Sequence, residues 1–436
     1  LNDWSAQHRL IERLFSAGLA AVEPRSAVAR ALTFDEKNLR VDGHTIELTG
    51  RLIVIAIGKA AGPMALGAID VLSDRIDAGI ALTKDGHFTS TIPEFECYEA
   101  RHPLPDQRGI DATRKIIELV SDLKPEDVVV ALISGGGSAL LEAPVDGVSL
   151  EDFQQTTDLL LKAGAPIQDL NAVRTALSTV KGGGLRSTVG EATCISLILS
   201  DVLGNDPKVI ASGPLTRPQI GHTHNEASGI LDKYGVWKEL PASVQEHLGS
   251  IIKWVSTEPT SIENDVFQVI ADNRLLVDAV QAEANTLGLN ADIAWRDVEG
   301  EARELGQRFT QVATNSGEEV DVIIGGGEAT VTVSGQGSGG RNTEFALASA
   351  IELDSSGDRS RIVASLGSDG QDGSADAAGA IADPDSVARG RVLGVSAEEH
   401  LQDNDSASYF STVGGLVQTG PTGTNVNDLY IALKSR

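Results

Sequence analysis

Val128-Val129-Val130-Ala131-Leu132-Ile133 runs without a break into Ser134-Gly135-Gly136-Gly137-Ser138 and then into Ala139-Leu140-Leu141. Six apolar residues closed by a small polar residue and glycine read as a strand buried on both faces, as in a parallel sheet. The glycines let the chain turn with no Cβ in the way, and a helix start then presents N–H groups that no earlier carbonyl satisfies. Strand, glycine turn and helix start together make an anion site. Ser134, Gly135, Gly136, Gly137 and Ser138 are therefore the candidate nucleotide-phosphate ligands, and the expectation is an enzyme that handles phosphate groups.

Similar apolar runs recur at Leu52–Ile57, Cys194–Leu199, Phe267–Ala271, Asp321–Ile324 and Ile362–Leu366, with helix-like segments between most of them. That alternation predicts an α/β architecture with mainly parallel strands. Leu10, Ile11, Leu14, Phe15, Leu19 and Val22 recur near helical spacing and predict a helix across residues 1–33. Val41-Asp42-Gly43-His44 reads as a short hairpin. Thr330–Val333, after Glu328, alternates as a strand paired antiparallel to its neighbour, so the second half is expected to hold a mixed sheet. A chain of 436 residues exceeds one ordinary core. The polar stretch Pro241–Asn264, with Trp254 and Pro259, is the expected boundary. The reading is an N-terminal Rossmann-like domain at 1–255, with a doubly wound, largely parallel sheet, and a C-terminal α/β domain at 256–436 with a mixed sheet.

The formal net charge is −27, and the cations are 12 Lys and 23 Arg. An acidic, lysine-poor surface is strongly hydrated and repels itself at low salt, which fits a salt-rich, halophilic cytoplasm. Nucleic acid is excluded as a partner, because a polyanion needs a basic stripe. Cys97 and Cys194 suggest neither a disulfide framework nor a zinc site. His87 and His102 lack metal-ligand spacing, so hydrogen-bonding or solvent roles are expected of them. There is no run of about 18 apolar residues and no charged-then-apolar leader, so the expected location is cytoplasmic and off the membrane. Oligomeric state is left open, a homo-oligomer included.

The scarce cations mark the chemistry. Lys59 follows a strand end in Ile57-Gly58-Lys59-Ala60-Ala61-Gly62; an amine there faces the ligand crevice of an open α/β sheet and can steady phosphoryl charge. Arg174, Ser178 and Lys181 recur at i, i+4 and i+7 before Gly182-Gly183-Gly184, which reads as one phosphate-facing helical stripe. Arg174 is assigned to substrate and Lys181 to nucleotide. Asp201, at the end of the strand Cys194–Leu199, can hold Mg²⁺ or take a hydroxyl proton, whereas Asp206 orders the loop. Gly335-Gln336-Gly337-Ser338-Gly339-Gly340 fits the GxGxxG dinucleotide fingerprint by letter. The strand before it is wrongly paired and no acidic residue follows at the expected distance. Arg341 directly after these glycines suits a single phosphate or carboxylate, and Asn342 and Asp369 are assigned to substrate. A Walker A loop, the protein-kinase motif set and a GxSxG elbow are all absent.

Ile57–Gly62, Ile133–Leu141, Asn171–Leu185, Ser200–Pro214, Gly325–Glu344, Gly367–Asp383, Asn404–Ser406 and Thr419–Asp428 together resemble the class II glycerate 2-kinases, whose C-terminal half is the MOFRL module. The resemblance covers nearly the whole chain in order and spacing. It implies two α/β domains with the active site in the cleft between them. It also implies transfer of the γ-phosphoryl of ATP, with Mg²⁺ or another divalent metal, to the 2-hydroxyl of D-glycerate. It implies further that Lys59 and Arg341 line the reaction centre, with Asp201 near the catalytic groups. Asn205 stands where the family commonly has aspartate, and Ser338 where it commonly has arginine. Relatives of this family are often labelled hydroxypyruvate reductases, so an NAD(P)H-dependent reductase using Gly335–Gly340 is the competing reading.

Overall fold

The computed structural model of the chain describes residues 3–88, 91–218, 222–249 and 264–435. It divides into two compact units, one of Pro24–Ile270 and one of Leu1–Glu23 with Ala271–Arg436.

The first unit opens with an antiparallel meander, β1 (Leu32–Asp35), β2 (Asn38–Val41) and β3 (His44–Glu47). Asp42 and Gly43 turn the β2–β3 hairpin with positive φ at both positions. A six-stranded sheet follows, made of β4 (Leu52–Ile57), β5 (Ala78–Lys84), β6 (Phe95–Ala100), β7 (Val128–Ile133), β8 (Thr193–Leu199) and β9 (Val266–Ala271). Its order is β6-β5-β4-β7-β8-β9. The pairs β4–β5, β5–β6, β4–β7 and β7–β8 are parallel. Every residue of β4 and β7 is buried, so neither strand shows the polar alternation of a one-sided sheet. The chain winds outward from β4 through β6, returns to β7 and winds the other way, so β4 and β7 flank the switch point of the sheet. The register Ile57↔Ile133 sets their carboxyl ends side by side. A separate apolar cluster, which includes Phe153, Leu160, Val173, Leu231 and Val244, holds the helices Leu150–Lys162, Ile167–Ala176, His222–Lys233 and Ala242–Gly249.

The second unit has a mixed sheet of β10 (Ala291–Glu301), β11 (Val322–Thr330), β12 (Arg361–Gly367), β13 (Gly379–Ala382), β14 (Leu416–Val417) and β15 (Asp428–Lys434). Its order is β10-β11-β15-β12-β13-β14. β10–β11 is parallel, and the other neighbouring pairs are antiparallel. Phe345 and Tyr430 stack with centroids 4.4 Å apart beneath this sheet's central strands.

Three expectations need correcting. The helix expected across 1–33 stops at Ala21, and a second one starts at Pro24, whose fixed φ and missing N–H suit a first helical position. The Ser5–Ala21 helix packs on Asn273–Thr286, where a Cβ on Gly18 would stand 2.8 Å from Leu276 and Val280 side-chain atoms, so it joins the second unit. Phe267–Ala271 lies within β9 of the first sheet rather than in the second domain. The junction at 255/256, with Trp254 and Pro259, lies outside the described residues; by packing, the units change over at Ile270/Ala271. Finally, the strand expected at Thr330–Val333 ends at Thr330, and the antiparallel partner of β11 is β15. Among the described residues no helix is long and apolar enough to cross a membrane.

Candidate active site

Gly58-Lys59 and Ser134–Ser138 meet at the switch point, where open α/β sheets bind ligands. Lys59 N donates to Gly135 O at 2.9 Å, and Ser134 N donates to Ile57 O at 2.9 Å. A Cβ on Gly58, which has φ 116°, would lie 2.4 Å from Ser134 O and Oγ, so only glycine lets the two loops close to this distance. The Ser134 hydroxyl is buried and accepts from Ala60 N at 3.0 Å. It latches one loop to the other and does not reach out to phosphate, which corrects its assignment as a ligand. Ser138 Oγ is paired with Ser212 Oγ. The backbone N–H groups of Gly135, Gly136, Gly137 and Ser138 make no hydrogen bond to any described residue. Open amides beside an ammonium, at the carboxyl ends of parallel strands, are what an anion site requires.

Asp201, just beyond β8, brings its carboxylate against the same turn. A Cβ on Gly135 would stand 2.1 Å from Asp201 Oδ2 and 2.7 Å from its Cγ. Gly135 does not have positive φ, so alanine is permitted by the backbone and excluded only by that carboxylate. Gly135→Ala is expected to fold, to displace Asp201 and to lower kcat by about 10²-fold, since a shift of about 1 Å in a reacting group costs that much. Steady-state kinetics beside a thermal melt checks it. Asp206 Oδ1 accepts from Lys208 N at 3.0 Å and orders its loop.

The stripe of Arg174, Ser178 and Lys181 does not form. The helix ends at Ala176 because residues 177–179 bridge to 143–145, through Val145 N to Leu177 O and Thr179 N to Ala143 O. Lys181 is buried, and its Nζ is taken by Glu142 Oε2 at 2.9 Å, Ser138 O at 2.8 Å and Leu141 O at 3.1 Å. No donor is left for a nucleotide, so that assignment is corrected: Lys181 pins the segment behind the glycine turn. Burial pushes its ammonium below the ordinary value, with Glu142 opposing. Lys181→Met is expected to lower stability by about 3–5 kcal/mol through the stranded Glu142, with KM for nucleotide unchanged in the folded fraction; urea melts and initial rates separate the two. Arg174 differs. Its Nε is buried with no hydrogen-bond partner among the described residues, as is Asn171 Oδ1 one turn earlier. Burial lowers its pKa, with Glu142 opposing.

In the second unit Arg341 opens the helix Arg341–Ser356. Its Nε donates to Asp428 Oδ1 at 3.0 Å and its Nη1 to Glu328 Oε1 at 2.8 Å. Asp428 is fully buried, and burial pushes its carboxyl up to about 6 against the pull of Arg341 and Asn342. Burial alone would lower the Arg341 guanidinium, but Asp428 and Glu328 hold it above its ordinary value. The guanidinium is fixed in place, and its Nη2 makes no hydrogen bond to a described residue. Glu328 and Asp428, which fix it, were not singled out from the sequence. The signal was there in Asp428, an acid closing an otherwise polar loop at the start of a buried strand. Asn342 is 1% exposed, with N and Nδ2 on Asp372 and Asp428 and Oδ1 accepting from Ser365. Its polar atoms are thus spent on Asp372, Asp428 and Ser365, and its geometry is that of a brace behind Arg341 rather than of a substrate ligand. Asp369 stands two residues beyond β12 with Oδ1 accepting from Gln371 N at 3.0 Å, so it shapes its own turn.

The glycine run Gly335–Gly340 is closed. Asn404 Oδ1 takes the N–H groups of Ser334 and Gly335, and Asp403 those of Gln336 and Gly337. Asp405 takes that of Ser338, and Ser374 Oγ that of Gly339. Asp372 accepts from Asn342 N and Thr343 N, both at 2.8 Å, and so fills the helix N-terminus. The glycines serve this contact: a Cβ on Gly335, Gly337 or Gly340 would lie within 2.4 Å of Asp403, Asp405 or Asp372. A pyrophosphate finds no open amide along Gly335–Gly340, where Gly340 N donates to Thr343 Oγ1. Among the described residues no three His, Cys, Asp or Glu side chains gather as a metal site.

Comparison with known proteins gives a consistent result. Residues 10–249 match a domain of unknown function, DUF4147, and residues 321–428 match the MOFRL family. The chain is 41% identical over 389 residues to a D-glycerate 2-kinase of Thermotoga maritima, covering 88% of this chain and 90% of the relative. It is 38% identical over 444 residues to a putative hydroxypyruvate reductase of Agrobacterium vitis, covering 99% and 95%. A crystal structure of glycerate kinase from Thermotoga maritima superposes with a TM-score of 0.87 at 37% identity, covering 99% of this chain and all of that one.

Proposed function

This chain belongs to the glycerate 2-kinase family that joins a DUF4147 region to a MOFRL region, and from that membership we propose that it transfers the γ-phosphoryl of ATP to the 2-hydroxyl of D-glycerate. The observation that carries the reading is the contrast between the two glycine loops. The N–H groups of Gly135–Ser138 are open beside Lys59 and Asp201, while those along 334–343, apart from Arg341, are consumed by protein acceptors. That contrast supports phosphate binding at the first loop and disfavours the reductase reading, which needs the second.

In this mechanism the amides of Gly135–Ser138 hold phosphate oxygens of ATP. Lys59 neutralises the charge that builds on the equatorial oxygens of the moving group. Asp201 orients the attacking hydroxyl and takes its proton as the new P–O bond forms and the bond to ADP breaks. Arg341 offers its outer Nη edge to the glycerate carboxylate or the phosphoryl group. Phosphoryl transfer is largely positioning and charge stabilisation, so these few groups suffice. Mg²⁺ in a nucleotide site needs only one or two carboxylates, with phosphates and water completing its shell. Asp201 offers one such carboxylate as the alternative to its role as base, and an ion held there would neutralise β- and γ-phosphate charge.

The test is ³¹P NMR of the product from ATP, Mg²⁺ and D-glycerate. A 2-phosphoglycerate resonance is expected; a 3-phosphoglycerate resonance or no turnover overturns the reading, and NADH oxidation with hydroxypyruvate would restore the reductase. The charge of −27 supports work in a salt-rich cytoplasm. Raising KCl from 0.1 to about 2 M, which shortens the Debye length several-fold, is expected to raise Tm; a Tm that falls or stays flat counts against it.

A further inference from the structure

His102 lies two residues beyond β6, at the same carboxyl edge of the first sheet as Lys59 and the open glycine turn. A Cβ on Gly136 would stand 3.2 Å from both Cδ2 and Nε2 of His102, and 3.3 Å from Lys59 Cγ. The imidazole and the lysine stem therefore lie together over the middle glycine. His87 Nδ1 is hydrogen-bonded to Lys59 O at 2.9 Å, which ties the neighbouring backbone. Neither ring nitrogen of His102 bonds to a described residue. His102 is only partly buried, so both ring nitrogens remain accessible to a ligand placed over Gly136.

We propose that His102 is a further catalytic contact of the phosphoryl transfer, its Nε2–H donating to an oxygen of the terminal phosphate of ATP held over Gly136. The proposal rests on the kinase reading above. The ring makes no covalent bond; the hydrogen bond steadies an oxygen whose charge changes as the phosphoryl moves. Burial first, and then Lys59, Lys84 and His87, bring the imidazole down to about 4, so it is neutral near pH 7. A third ammonium beside Lys59 and Lys84 would be repelled before nucleotide arrived. A neutral imidazole instead supplies a directed donor at no charge cost, which is what distinguishes histidine from lysine at this place.

The experiment compares His102→Phe, which keeps ring volume without a donor, with His102→Gln, whose amide N–H reaches a similar position. His102→Phe is expected to keep its Tm and lose about 10²-fold in kcat/KM for ATP, with KM for glycerate little changed. His102→Gln is expected to regain about tenfold of that loss. Should the phenylalanine variant fail to fold, His102→Ala is read in its place. Wild-type kcat/KM in the donorless variant, a loss confined to glycerate KM, or no recovery in His102→Gln would each overturn the proposal. If the wild type makes no phosphoglycerate, the kinase reading fails separately. The calorimetric Kd of a non-hydrolysable ATP analogue then decides the contact: tenfold weaker binding in the donorless variant upholds it, and equal binding ends it.

Discussion

Lys59→Ala is expected to lower kcat by about 10²–10³, as the loss of one preorganised donor at a developing charge does, while Tm stays at the wild-type value. The structure gives both halves of that result. Nζ of Lys59 has no side-chain partner among the described residues, so its removal strands no carboxylate. The features that shape the loop are backbone ones, the Lys59 N bond to Gly135 O and the Lys59 O bond to His87, and alanine keeps both. The loss therefore belongs to the reaction and not to the fold. Lys59→Arg should recover little, because the longer planar fork cannot take the same place beside Gly136 and His102. Initial rates with varied ATP and a melt of the same samples check it; near-wild-type turnover of Lys59→Ala would remove this lysine from the mechanism.

Arg341→Ala is expected to behave differently, and here the structure changes what its sequence position alone suggests. Arginine after a glycine run reads as a free anion-binding group, dispensable for folding. In the structure it neutralises Asp428, which is fully buried, and Glu328. Removing the guanidinium leaves a buried carboxylate unpaired, at about 3–5 kcal/mol of stability, in addition to the loss of kcat. The pH dependence has a defined sign. Burial raises the folded Asp428 carboxyl from 3.8 to about 6 even with Arg341 present. Between those values the native state binds more protons than the unfolded chain, so this residue favours folding more as pH falls from about 6 toward about 4. Without Arg341 the folded value moves higher still. The Tm deficit of Arg341→Ala should therefore be largest near pH 8 and shrink toward pH 5.5. Adding Asp428→Asn should restore Tm at pH 8 and leave kcat low. A double variant with recovered activity would show that the arginine only fills space.

The linear chain already determined the architecture of the first sheet and the place of its anion site. Val128–Ile133 and Leu52–Ile57 are six-residue apolar runs, rich in β-branched residues and each followed within two residues by glycine; that length and those flanks read as strands buried on both faces, which places the glycine-rich residues after them at the carboxyl edge. Strands with mixed burial were harder to read: Phe95–Ala100 and Ala291–Glu301 have irregular burial patterns that resemble loops. β9 has a clear apolar run, but which sheet it joins depends on an edge offered by β8, far away in sequence.

Which polar groups are open and which are already satisfied was decided only by the tertiary structure. Lys59 and Lys181 are alike as letters beside glycines. One has no side-chain partner among the described residues, and the other spends its donors on Glu142 and two carbonyls contributed 39–43 residues away. The two glycine loops are equally suggestive in sequence, yet residues 403–405 and Asp372 close the second. His102 comes over Gly136 only through the sheet order, which sets β5 and β4 between β6 and β7. Apolar periodicity is a local property that survives in one dimension. Hydrogen-bond satisfaction is settled pairwise between distant segments, and it alone tells a ligand site from a structural one.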